Sequence, residues 1–198
     1  MIASFFAELP GYIARCGSVV YFPLLSVVLG LLCVGLAWWV SCRLARHLPS
    51  SLACLRSQPA GLALGLVCLV WSAHHACVML EGGLARFHAY VWMLVPIIAV
   101  LSWFFLDFLF ARAAGGFFIL CANALIYCAF VHDIPCRPWY SAVCLALGVL
   151  GLFAVGAPWR IRALLQAAAK RPTWAKAGAA LLVVFAATLM VLPMLARQ

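Results

Sequence analysis

The chain has 198 residues, of which 69% are hydrophobic and 9% charged, with a formal net charge of +9. A soluble domain carries about 25% charged residues. A globule of this size could not hide so much apolar surface from water, so a water-soluble fold is excluded and lipid is the solvent for most of the chain. Thirteen bases against four acids would suit nucleic acid in a soluble protein. Here the bases lie between apolar runs with no nucleic-acid motif, so they read as orientation signals and as contacts to anionic lipid head groups.

Residues 1–17 lack a basic leader and contain Glu8 and Pro10. They read as an amphipathic segment on the membrane surface, with Phe5, Phe6, Leu9 and Tyr12 toward lipid. A membrane-crossing helix needs about 20 apolar residues. Six stretches qualify, at about 18–41, 60–80, 89–111, 114–131, 139–157 and 176–196. Arg112 with Gly115 and Gly116 marks the break between the third and fourth, because one run there would be too long for a single crossing. Pro96 should kink the third span. The expected fold class is all-α: a polytopic integral membrane protein with six transmembrane helices in one bundle, forming a single membrane domain over 1–198.

The connections divide by charge. Arg43, Arg46, Arg56, Arg112, Arg160, Arg162, Lys170, Arg171 and Lys176 fall on one side, and Arg15, Arg86, Arg137 and Arg197 on the other. The base-rich side marks the cytoplasm, which puts both termini outside in a cell inner (plasma) membrane. Residues 158–175 contain a basic amphipathic helix. Trp38, Trp39, Tyr90, Trp92, Trp139, Tyr140, Trp159 and Trp174 lie near span ends, where interfacial aromatics belong. Gly61 and Gly65 form a G-x-x-x-G, and Gly30, Gly35, Gly148 and Gly151 thin other helix faces for close packing.

Five of the ten cysteines (Cys33, Cys68, Cys121, Cys128 and Cys144) sit inside apolar runs, where they serve as small hydrophobes. No C-x-x-C occurs. Cys136, beside Pro135 on the oxidising side, is the expected disulfide partner of Cys77 or Cys16.

One stretch concentrates the ionisable groups: "WSAHHACVMLEGGLARFH", residues 71–88. His74, Cys77 and Glu81 share one helical stripe, and His75 shares another with Trp71 and Met79. The fourth span adds His132 and Asp133 on the same outer side. Ionisable groups within a membrane are costly unless they pair or line a polar cavity. The ligand reading places a haem b or a transition metal on His75, His88 and His132, with Glu81 and Asp133 behind them. The structural reading has His74 and His75 hydrogen-bonded to neighbouring helices, while the other rings sit in wet head-group space. No H-x-x-x-H or H-E-x-x-H spacing decides between them.

Asp107, on the inner side, and Asn123, nearer the midplane, are the polar residues that a transport path would use. Asp107 otherwise pairs with Arg112 or a base of the first loop, and Asn123 bridges helices. No nucleophile elbow, P-loop, Rossmann pattern or zincin motif is present. Three functional readings remain open at this point. The first is a non-enzymatic integral subunit or assembly component of an inner-membrane complex, with other membrane subunits as partners. The second is a redox subunit with an outer-side haem b or metal. The third is a small-solute or ion transporter.

Overall fold

The computed structural model describes residues 22, 24–44, 48–80, 86–131 and 134–195. The chain is an all-helical polytopic membrane bundle. Six helices are long and apolar enough to cross a bilayer: α1 (Leu24–Cys42), α3 (Gln58–Met79), α4 (His88–Phe105), α5 (Leu109–Val131), α6 (Arg137–Gly156) and α8 (Pro172–Leu195). Two shorter helices, α2 (Leu48–Leu55) and α7 (Pro158–Lys170), join them at one end. α7 is the basic amphipathic helix expected there. α2 was not expected, because "LPSSLACL" carries two serines and a proline that read as loop. The proline stands in the first turn, where its missing N–H has no intrahelical partner to lose. The amphipathic segment expected over 1–17 lies outside the described residues.

α5 is the central helix. It packs against α6 on one side and α3 on the other, and α3 in turn carries α4 at the periphery. A buried cluster of Phe22, Leu29, Cys121, Leu125, Tyr140, Cys144, Leu147, Phe185 and Leu189 joins α1, α5, α6 and α8. The cysteines expected to act as small hydrophobes do so at Cys33, Cys121 and Cys144, all buried.

Close helix crossings are built on glycine. A Cβ at Gly115 would meet the Gly151 carbonyl oxygen at 2.6 Å, and a Cβ at Gly151 would meet the Gly115 carbonyl oxygen at 2.6 Å. Gly61 lets α3 approach the backbone of Leu109 and Phe110, and Gly30 makes room for Met190. Gly35 has open space beside it.

Two expectations are corrected here. The break between the third and fourth spans is not at Arg112 and the double glycine. It falls at Leu106–Phe108, where Phe108 takes a left-handed φ of 56°, and Arg112 and both glycines lie inside α5. Gly115 is thus a packing notch rather than a helix breaker. Tyr140 is not an interfacial aromatic. It is fully buried, and its hydroxyl is 3.2 Å from the Ser26 Oγ of α1. Pro96 lies within α4, and the helix continues past it to Phe105.

Candidate functional site

The polar stretch begins in the last two turns of α3. There the Trp71 indole N–H donates to Nε2 of His75 at 2.9 Å, and the two rings stack with centroids 6.3 Å apart. They are one helical turn apart, so the bond follows directly from helix geometry. An indole can only donate, which leaves Nε2 of His75 as acceptor and puts the proton of the neutral ring on Nδ1. Trp71 is itself set edge-on to Phe117 of α5, with centroids 6.2 Å apart. The histidine is therefore tied, through tryptophan, to the α3–α5 contact. The His74 ring lies edge-on to His75, with centroids 6.0 Å apart and the ring planes at 61°.

Cys77, on the same helix, is buried. His88, the first residue of α4, donates from Nε2 to the Leu80 carbonyl at 2.9 Å. Leu80 is the C-cap of α3, so this ring satisfies one of the carbonyls that a helix end leaves without an intrahelical donor. His75 and His88 thus carry their protons on opposite ring nitrogens, and each has one nitrogen engaged by the fold.

The remaining candidate ligands, His132, Glu81 and Asp133, lie outside the described residues, as does Cys16. Among the described residues, no group of three or more His, Cys, Asp or Glu side chains is placed to hold a metal ion. Cys77 and Cys136 are both free thiols, so the expected pairing of these two is not formed. Cys136 instead serves as the N-cap residue of α6, with a left-handed φ of 56°.

At the opposite end, Asp107 sits in the α4–α5 turn, exposed, rather than within a helix. It shares a recess of about 340 Å³ with Arg56, Gln58, Pro59, Leu106 and Phe108. The Arg56 guanidinium lies 5.7 Å from the Phe108 ring centroid, within cation–π range. The Arg112 Nε, expected near Asp107, is buried without a hydrogen-bond partner among the described residues. Asn123 and Tyr127 lie on the exposed face of α5, and a residue on that outer face does not line an interior path with Asp107.

Four arginines cap aromatic rings near helix ends: Arg43 over Trp38, Arg56 over Phe108, Arg86 over Phe87 and Arg137 over Phe130, at 5.1–5.7 Å. Sequence reasoning found the histidine stripe through its periodicity. It missed the Ser26–Tyr140 bond, whose only signal was a serine inside an apolar span.

No family model, curated protein or solved structure matches the chain.

Proposed function

We propose that this chain is a non-enzymatic integral subunit or assembly component of an inner-membrane complex, acting through its helix surfaces. The observation that supports this reading is the use of the polar stretch by the fold itself. Trp71 occupies Nε2 of His75, and His88 closes the end of α3. Where a polar group inside lipid has a structural partner, its presence needs no ligand to explain it. The periphery agrees: α4 packs on α3 and leaves Tyr90, Met93, Ile97, Leu101 and Phe104 exposed along one stripe, at the three- and four-residue steps by which one helix meets another.

In this reading the end carrying α2 and α7 faces the cytoplasm, where Arg43, Arg56, Arg160, Arg162, Lys170 and Arg171 meet anionic lipid. Both termini face outward.

Cross-linking in native membranes followed by isolation in mild detergent tests the proposal. The expected result is a complex of fixed stoichiometry that contains at least one other membrane protein. Recovery of the chain with a bound chromophore, or with itself as the sole component, would overturn it.

A further inference from the structure

Two turns meet at the end of the bundle that carries α2 and α7. Arg56 follows α2, with its amide bonded to the Ala53 carbonyl at 3.1 Å, and Gln58 opens α3. Asp107 and Phe108 form the turn from α4 to α5. The close approach of α3 to α5 holds these turns side by side, since a Cβ at Gly61 would lie 2.5 Å from the Phe110 nitrogen. Between them lies the recess of about 340 Å³ lined by Arg56, Gln58, Pro59, Leu106, Asp107 and Phe108. Sites for small molecules have volumes of about 300–1,000 Å³.

The recess gathers opposite charges that do not meet. Among the described residues, no hydrogen bond or ion pair holds the Asp107 carboxylate, the Arg56 guanidinium or the Gln58 carboxamide. Arg56 lies instead over the Phe108 ring, 5.7 Å from its centroid. Phe108 has a left-handed φ of 56°, a conformation that is costly for a bulky L residue. The fold keeps it there, with its ring beneath the guanidinium. The surroundings are those of a membrane surface. The recess lies where α3 begins and α4 ends, at the level where hydrocarbon gives way to head groups. Phe104 and Phe105, the last two residues of α4 and the ones just before Leu106, are 75% and 79% exposed.

We propose that this recess binds the head group of an ethanolamine phospholipid, with the phosphodiester on Arg56, the ammonium on Asp107 and the acyl chains along Phe104 and Phe105. A guanidinium donates to phosphate oxygens, and a carboxylate accepts from an ammonium. A two-carbon link separates the charges of the ligand, so one molecule spans two side-chain charges that do not touch. The recess carries one cation and one anion, which a zwitterion complements. A glycerol head group would set a net anion against Asp107. A choline has no N–H to donate, and the ring that would receive a quaternary ammonium, Phe108, is already covered by Arg56. A serine head group adds a carboxylate, with no second base lining the recess. The exposed phenylalanines favour a lipid over free phosphoethanolamine, which has no apolar chain to lay against them. The proposal rests on the reading of Arg56 as a lipid contact, and narrows that contact to a zwitterion at this recess. It needs no other subunit.

The test uses the full-length chain in mild detergent, titrated with phospholipids of matched acyl chains and read by native mass spectrometry as lipid bound per chain. Wild type should hold an ethanolamine lipid about tenfold more tightly than the choline, glycerol or serine lipid, the scale of one charge-assisted hydrogen bond. Stepwise N-methylation of the ethanolamine should weaken binding progressively, an arm that leaves the protein unaltered. Asp107→Asn should bring the ethanolamine and choline lipids to equal affinity, whereas Arg56→Gln should weaken both. Lys176→Gln, outside the recess, should change neither. Equal affinity of wild type for ethanolamine and choline lipids, a preference that survives Asp107→Asn, or displacement of the lipid by soluble glycerophosphoethanolamine at comparable concentration would each overturn the proposal. A glycerol or serine lipid held as tightly as the ethanolamine lipid would also overturn it, while leaving Arg56 as a contact to anionic lipid.

Discussion

Gly115 of α5 and Gly151 of α6 each stand where the other's carbonyl oxygen would lie 2.6 Å from an added Cβ. The contact is backbone against backbone, so no side-chain rotation can relieve it. Gly151→Ala should therefore push α6 off α5 and cost about 1–3 kcal/mol, the range for overpacked cores. Gly148→Ala, whose Cβ would meet only the Ala122 side chain at 3.3 Å, should cost less. Thermal unfolding in detergent micelles gives both values. Equal effects would show that α6 can shift.

The G-x-x-x-G of α3 is asymmetric in the same way. A Cβ at Gly61 would lie 2.5 Å from the Phe110 nitrogen, whereas at Gly65 the nearest atom is the Ala113 Cβ at 3.9 Å. Gly61→Ala should destabilise the bundle and loosen the α3–α5 contact. Gly65→Ala should be neutral or slightly stabilising, since alanine is the better helix former by about 1 kcal/mol. Parallel unfolding curves for the two variants check this.

The six spans were legible because an apolar run of bilayer length has few other readings. Their ends were less so, and the 106–108 break shows why. Arg112 and the glycine pair stand out in a hydropathy scan, but arginine can reach the membrane surface from the first turn of a helix, and glycine is a packing residue in lipid. The signal that mattered was Asp107 in the turn itself. Tyr140 was misread because an aromatic near a span end is ambiguous until its hydroxyl has a visible partner, and Ser26 is 114 residues away. The shared stripe of Trp71 and His75 was legible because it is local, but their bond was not expected, since His75 was read toward a neighbouring helix or a metal. The outward direction of Asn123 was not, since it depends on where α3 and α6 sit.

The Ser26–Tyr140 bond should be unequal in its two halves. Tyr140→Phe leaves a serine hydroxyl that can turn back to its own helix carbonyl, and the cost should be near 0.6 kcal/mol, about the average for such bonds in membranes. Ser26→Ala leaves a wholly buried tyrosine hydroxyl with only a weak sulfur acceptor, Cys144, one turn away. That should cost about 1–3 kcal/mol. A double-mutant cycle on detergent-solubilised protein measures both.

The histidine tautomers give a spectroscopic check on the polar stretch. Neutral His75 should carry its proton on Nδ1, because Trp71 donates to Nε2. Neutral His88 should carry it on Nε2, which donates to the Leu80 carbonyl. Site-selective 15N NMR distinguishes the two. Trp71→Phe should release the His75 preference and leave His88 unchanged. A His75 proton found on Nε2 in the wild type would mean that the indole bond is not formed in the bilayer.

The central claim is that the polar stretch at 71–88 serves the bundle rather than a cofactor, and the visible absorption spectrum of protein purified from its native membrane tests it most directly. The expected spectrum has no haem band, either as isolated or after reduction, and His75→Ala leaves it unchanged. A Soret band in the wild type that His75→Ala or His88→Ala removes, with the helical content intact, would contradict the claim and assign the stretch to redox chemistry.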